Sequence, residues 1–209
     1  LKTNFHFKTG SSIDYKKFQE NLVNTGYKKS ETVMNIGEFA IRGSIIDIFT
    51  SNYNYPIRID LFDDSIEQIK FFDPISQRSI KKVYQVLILP ISEIIFSKDN
   101  IDNFKLKYKE KFGIQSVKDN IYQSISLGNR YPGIEHWISL FYNQLITTFD
   151  FLDNSYNFLL SGNFNKICDL KLQEINEAFN SRNLTFKKLR KDNNINCYKP
   201  IYPNELYLE

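Results

Sequence analysis

The sequence contains few of the residues that metal sites and histidine-dependent enzymes need. Its 209 residues include 2 cysteines, 2 histidines and 8 glycines. Cys168 and Cys197 are isolated, a pattern that argues against a zinc site or a disulfide scaffold and favours the reducing cytoplasm. His6 and His136 are 130 residues apart, and neither has a nucleophile pattern beside it. We therefore expect no metal site and no catalytic histidine.

The glycines also fail to form a phosphate-binding loop. None begins the pattern GxxxxGK[S/T] or GxGxxG, which would place backbone N–H groups around a phosphate. The adjacent acids Asp63 and Asp64 lie where we expect a tight turn, and turn formation explains them without an acid–base role. We predict that this segment is not an enzyme, has no catalytic residue and holds no cofactor of its own.

Long apolar runs and charge of one sign are missing as well. No stretch of about 18 uncharged apolar residues is present, so we expect no transmembrane helix. The 27 basic and 24 acidic residues give a net charge of +3, without the basic concentration typical of DNA-binding proteins. The chain begins Leu1-Lys2-Thr3-Asn4, with neither an initiator methionine nor a signal peptide, so we expect a piece of a longer cytoplasmic protein.

Residue periodicity predicts an α+β domain in the first half of the chain. An N-cap at Ser11-Ser12 and apolar residues at helical spacing predict a helix that Gly26 ends. Strands joined by short turns follow, which is typical of an antiparallel meander, and we expect the helix to cover one face of it. The predicted strands are residues 38–49, 57–62, 66–72 and 83–89.

The pattern changes within residues 92–98, where we place a domain boundary. Residues 1–95 form the predicted β-rich domain, and residues 96–209 form a second, truncated domain of mixed α/β type. The elements predicted in the second domain are helices at 101–112, 116–127 and 168–180, a loop at 128–133, a short helix followed by an extended stretch at 134–149, and a buried strand at 156–160.

Alternation along the second predicted strand singles out one unusual surface. Every second residue from Ile57 to Leu61 is aliphatic and belongs to the core, so the residues between them face outward. The same alternation on the preceding strand places an arginine on this face. An aromatic side chain among charges on an exposed face is the composition of a protein-binding hot spot. The outward residues are Arg42, Arg58, Asp60 and Phe62.

The register of the first two predicted strands decides which of these side chains meet. If paired residue numbers sum to about 106, Phe62 lies opposite Ser44 and Arg58 lies opposite Ile48. A bulge at Gly43 would shift the register by one. Two other interpretations stay open: a solvated face with one stray aromatic, or packing of the second domain onto Phe62.

Two strings of residues resemble the module shared by the excision-repair protein UvrB and the bacterial transcription-repair coupling factor (Mfd). They are residues 37–49, GEFAIRGSIIDIF, and residues 57–67, IRIDLFDDSIE. Residues 72–79, FDPISQRS, and residues 133–137, GIEHW, are more similar to the coupling factor than to UvrB. The likeness covers nearly the whole chain.

The resemblance implies that the β-rich domain binds UvrA by mimicking UvrB. The family's two contact arginines and its contact aromatic match Arg42, Arg58 and Phe62, and Asp60 matches an acidic position that contributes in UvrB. We expect both guanidinium groups to bond carboxylates of UvrA. Residues 96–209 would be part of a degenerate helicase-like domain without nucleotide-binding motifs.

The resemblance also implies what the parent protein does. The coupling factor displaces RNA polymerase stalled at a DNA lesion with an ATP- and Mg-dependent motor that moves on double-stranded DNA, and it then recruits UvrA for nucleotide excision repair. In this family a C-terminal domain covers the docking face until the motor engages.

Two alternatives remain open. The chain could be a fragment of UvrB itself. It could instead be a nucleic-acid-binding module that uses a basic cluster beside Phe186, consisting of Lys187, Lys188, Arg190 and Lys191.

Overall fold

The computed structural model describes residues 4–153, 155–160, 162–191 and 198–207. The chain divides into two compact units, Leu1–Ser97 and Lys98–Glu209, and the division lies within the predicted interval of 92–98. We call them the sheet unit and the helical unit. The functional identity assigned to each domain above stays a prediction. In the described residues, no helix has both the length and the apolar character needed to cross a membrane.

The described residues of the sheet unit form eight strands in two sheets. They are β1 (Phe5–Lys8), β2 (Lys28–Lys29), β3 (Glu38–Arg42), β4 (Ile45–Ile48), β5 (Ile57–Phe62), β6 (Ser65–Phe72), β7 (Ser79–Val83) and β8 (Gln85–Ile88). The main sheet has the order β2-β3-β4-β5-β6-β7, and only its β2–β3 pair is parallel. Strands β1 and β8 pair with each other in a separate sheet. The antiparallel meander and the α+β class are confirmed.

One helix, α1 (Tyr15–Asn24), packs against the aliphatic face of the main sheet. Asp14 is its N-cap, two to three residues after the predicted serines, and its carboxylate accepts the Lys17 backbone N–H at 3.1 Å. Gly26 follows the last turn at φ +104°, where a Cβ atom would lie 2.7 Å from Cβ of Ser92. Phe18 of α1 belongs to the same core cluster as the buried aliphatic residues of β4, β5 and β6.

Two predicted strands are divided in the structure. The run 38–49 is a hairpin, because Arg42 pairs with Ile45 across the two-residue turn Gly43-Ser44. Gly43 has φ +58°, and a glycine at this position is typical of a type II′ turn. The predicted strand 83–89 is also wrong in extent, since β7 ends at Val83 and β8 leaves the main sheet to pair with β1.

The described part of the helical unit contains helices and no strand. Its α-helices are α2 (Lys98–Phe112), α3 (Asn120–Ser126), α4 (Ile138–Phe141) and α5 (Phe164–Lys191). Short 3₁₀ turns cover Ile114–Lys118, Ile134–Trp137, Thr148–Phe151 and Pro203–Glu205. The loop predicted at 128–133 is confirmed. The strand predicted at 156–160 is wrong, because these residues are exposed and pair with no other described strand.

We predict that Leu22→Ala destabilises the protein by about 2–5 kcal/mol, because Leu22 is fully buried between α1 and the sheet and its removal leaves a cavity. The neighbouring Val23 is 47% exposed, so Val23→Ala should change stability by about 0.5 kcal/mol or less. Urea denaturation followed by circular dichroism measures both values. Equal losses for the two variants would contradict this packing.

Candidate protein-binding site

The register of β4 and β5 places an acid against an arginine on the outward face of the main sheet. Asp47 pairs with Arg58, and Ile45 pairs with Asp60, so the paired residue numbers sum to 105. The predicted pairing of Arg58 with Ile48 is therefore wrong by one residue. If the paired residue numbers summed to 106, Ile48 would lie opposite Arg58 on the outward face. The observed register buries Ile48 and gives the Arg58 side chain a carboxylate partner.

Asp47 is the centre of a buried ion-pair network. Its side chain is 0% exposed, and two arginine side chains donate to its carboxylate. Arg58 binds in a bidentate manner, with Nε 2.7 Å from Oδ1 and Nη2 2.9 Å from Oδ2, while Nη2 of Arg42 pairs with Oδ2. The hydrogen bond to Asp47 raises the pKa of Arg58 above its ordinary value, so this guanidinium stays charged.

A turn at the end of β6 fixes the Arg58 guanidinium from another direction. Nη1 of Arg58 donates to the backbone carbonyl of Gln77 at 3.2 Å, and the guanidinium lies 4.4 Å from the centre of the Phe72 ring. Gln77 has φ +59°, and its side-chain amide donates to the carbonyls of Val33 and Pro74. These contacts hold the turn in a conformation that few non-glycine residues adopt.

The four predicted site residues lie on one face but differ in availability. The Arg58 side chain is 16% exposed and its bidentate donors bind Asp47, and our expectation that it bonds a carboxylate of UvrA stays a prediction. The Arg42 side chain is 47% exposed and keeps donors open to solvent. Asp60 is paired with Lys70 at 2.5 Å.

Phe62 is 70% exposed, in contrast to the aliphatic residues before it on β5. It lies at the end of the strand, where it pairs with Ser65 across the Asp63-Asp64 turn. The Leu61 amide donates to the Ser44 carbonyl at 2.8 Å, so Ser44 is level with Leu61 and not with Phe62 as we had expected. An exposed aromatic ring at a hairpin end is available to bury its apolar area in a contact with a partner.

The docking face is basic where it meets solvent. We define this face by Arg42, Asp47, Arg58, Asp60, Phe62 and Lys70, a set with three cations and two anions. Both anions are taken up by internal ion pairs, whereas Arg42 is half-exposed. Lys82, the cross-strand neighbour of Lys70 on β7, is also exposed. A partner with carboxylates opposite this face would be electrostatically complementary to it.

The other candidate residues lie elsewhere. Lys187 and Lys188 are exposed on α5, while the side chains of Arg190 and Lys191 lie outside what the structure describes, as does Cys197. Among the described residues, no group of three or more His, Cys, Asp or Glu side chains could hold a metal ion.

Sequence reasoning missed Asp47 and Gln77. A lone acid within the aliphatic run of residues 45–49 was a signal for the first, because a buried charge needs a partner. Nothing in the sequence marked Gln77, whose role depends on its backbone conformation and on contacts with distant loops.

Comparison with known proteins gives matches in both units. Residues 5–94 match the family described as the UvrB interaction domain. The transcription-repair-coupling factor of Haemophilus influenzae is 36% identical over 146 residues, which are 69% of this chain and 13% of that protein. The Escherichia coli factor is 33% identical over 137 residues, 66% of this chain and 12% of that protein. The Rickettsia prowazekii factor is 30% identical over 186 residues, 89% of this chain and 16% of that protein.

We predict that Asp47→Ala lowers the free energy of unfolding by about 3–5 kcal/mol, because it leaves the largely buried guanidinium of Arg58 without its carboxylate. Glu67→Ala on β6 removes an exposed carboxylate and should cost about 0.5 kcal/mol or less. Urea denaturation of the two variants makes the comparison. A loss at Asp47 no larger than that at Glu67 would refute the buried network.

Proposed function

We propose that the chain recruits UvrA for a transcription-repair coupling factor, because residues 5–94 match the family described as the UvrB interaction domain and the chain is similar to coupling factors. The docking face would offer UvrA the surface that UvrB offers, so that recruitment works by mimicry. The observation that carries the proposal is the exposed ring of Phe62 on the same face as the half-exposed guanidinium of Arg42.

The proposed interface has two direct contacts. Phe62 would bury its ring in an apolar pocket of UvrA, which is the part an aromatic anchor has in most hot spots. Arg42 would make charge-assisted hydrogen bonds to a carboxylate of UvrA. Arg58 and Asp60 remain residues of the proposed site, but their charged groups are already ion-paired within this chain. Their main part would be to stabilise the surface that carries Arg42 and Phe62.

The activity of the whole parent protein is part of the proposal. The chain spans 12–16% of the length of the three relatives described above. We propose that its parent displaces stalled RNA polymerase in the cytoplasm with an ATP- and Mg-dependent motor on double-stranded DNA. This chain has no phosphate-binding motif of the types sought above, so its own contribution would be protein binding without catalysis or a cofactor.

The coupling factor is the better choice of parent than UvrB. The three relatives described above are transcription-repair-coupling factors, and the similarity covers 69%, 66% and 89% of this chain. The helical unit therefore shares sequence with a coupling factor beyond the boundaries of the UvrB interaction domain match at residues 5–94.

We expect Arg42→Ala and Phe62→Ala each to weaken UvrA binding by about 30- to 1,000-fold, the usual effect of removing about 2–4 kcal/mol at the centre of an interface. Affinity for purified UvrA can be measured by biolayer interferometry, with circular dichroism to show that each variant is folded. Phe151→Ala and Lys187→Ala are matched controls, because both side chains are exposed in the helical unit.

Folded Arg42→Ala and Phe62→Ala variants that bind UvrA as tightly as the wild type would disprove this site. Tight binding of duplex DNA with a steep salt dependence, lost in Lys187→Ala, would instead support the nucleic-acid-binding alternative.

A further inference from the structure

Asp47 joins the exposed and the buried parts of the docking face. Its fully buried carboxylate accepts from Arg58, which is largely buried, and from Arg42, which is half-exposed. Arg58 is itself fixed by the Gln77 carbonyl and by the Phe72 ring. The Arg58 guanidinium therefore fixes the position of the Asp47 carboxylate. The carboxylate in turn fixes the position of the Arg42 guanidinium.

This connection matters because a free arginine side chain is flexible. Ordering a long side chain at an interface costs conformational entropy, and a side chain that is already ordered binds more tightly. Arg42 is the last residue of β3, next to the Gly43-Ser44 turn. No strand residue follows it on β3 to restrict the movement of its side chain. The ion pair with Asp47 supplies that restraint.

The backbone of Arg42 lies toward the end of the sheet where Phe62 is exposed, and its side chain reaches back along the strand to Asp47. Arg42 pairs with Ile45, and Ile45 pairs with Asp60 on β5. Phe62 follows Asp60 by two residues on the same face, or about 6.6 Å along the strand. A guanidinium fixed at Asp47 presents its free donors on the same face of the sheet as the aromatic anchor.

We propose that Asp47 is a positioning residue for UvrA binding, whose buried carboxylate holds the Arg42 guanidinium at the surface on the same face as Phe62. This proposal rests on the proposed function and adds to it a residue that never touches the partner. Asp47 acts through Arg42, so its effect on affinity should disappear when Arg42 is absent.

A double-mutant cycle tests this dependence with the intact chain and purified UvrA. Asp47→Asn keeps the shape of the side chain and removes its charge, and we expect it to weaken UvrA binding at least about tenfold. In the Arg42→Ala background the same change should alter the affinity by less than about twofold. Glu20→Gln on α1 removes the charge of an exposed acid on the covering helix and should leave the affinity unchanged.

A second pair of measurements keeps the proposal testable if Asp47→Asn does not fold. The paired change Asp47→Leu with Arg58→Met removes both buried charges together, so it should fold. UvrA binding should weaken, and because Arg58 is itself a residue of the proposed site, the mobility of Arg42 decides whether the lost carboxylate is the cause. NMR relaxation of the Arg42 Nε should show a restricted guanidinium in the wild type and a mobile one in the paired variant.

The outcomes separate the two proposals. Wild-type affinity in a folded Asp47→Asn or paired variant, equal mobility of Arg42 with and without Asp47, or full additivity in the cycle would each overturn the positioning role while leaving UvrA recruitment in place. Failure of the wild-type chain to bind UvrA would overturn the proposed function itself, and the positioning role with it.

Discussion

The docking face depends on one buried ion pair, between the carboxylate of Asp47 and the guanidinium of Arg58. A carboxylate with no exposed surface is costly unless it is paired and fully hydrogen-bonded. Here both of its oxygens accept from Arg58, and one of them also accepts from Arg42. The pairing is possible only in the observed register of β4 and β5, because a shift of one residue would place Ile48 opposite Arg58.

The same ion pair separates a closed part of the outward face from an open part. On one side of it, Val33, Ala40, Phe49 and Phe72 form a small apolar cluster of their own. The turn at Gln77 joins this cluster to Arg58 through hydrogen bonds to Val33 and to the guanidinium. On the other side, toward the Gly43-Ser44 and Asp63-Asp64 turns, the exposed ring of Phe62 and the half-exposed Arg42 are left for a partner.

A buried ion pair is weak evidence for added stability, since an apolar pair of similar volume often stabilises a protein as well or better. Its retention on a proposed binding face is better explained by specificity. The carboxylate fixes both the strand register and the direction of an interface arginine, and an aliphatic pair could fix neither of these by charge. That explanation is a hypothesis for this protein, and the double-mutant cycle addresses it.

Much of the fold and part of the candidate site could be predicted from the sequence. Alternation on β5 correctly separated Ile57, Ile59 and Leu61 from the outward residues, because a period of two is a local property of a strand. The turn at Gly43 was hidden within the strand-like run of residues 38–49, where Gly43-Ser44 was the turn signal. The apolar string at 156–160 was mistaken for a buried strand, because burial depends on a tertiary neighbour that local sequence does not specify.

The ion pairs could not be predicted either, because local sequence does not specify tertiary neighbours. Asp47 and Arg58 are 11 residues apart, and an error of one in the register removed their contact from view. Exposure of Phe62 followed from alternation alone, whereas the restriction of Arg58 required the position of Gln77, 19 residues away. The sequence thus predicted which face of the sheet a side chain lies on, but it did not predict which residue that side chain pairs with.

Competition between this chain and UvrB for UvrA tests the central claim of mimicry most directly. Labelled UvrB bound to purified UvrA should be displaced by the wild-type chain, and a folded Phe62→Ala variant should fail to displace it at the same concentration. Simultaneous binding of UvrB and this chain to one UvrA site, or displacement by Phe62→Ala as effective as that by the wild type, would contradict the account.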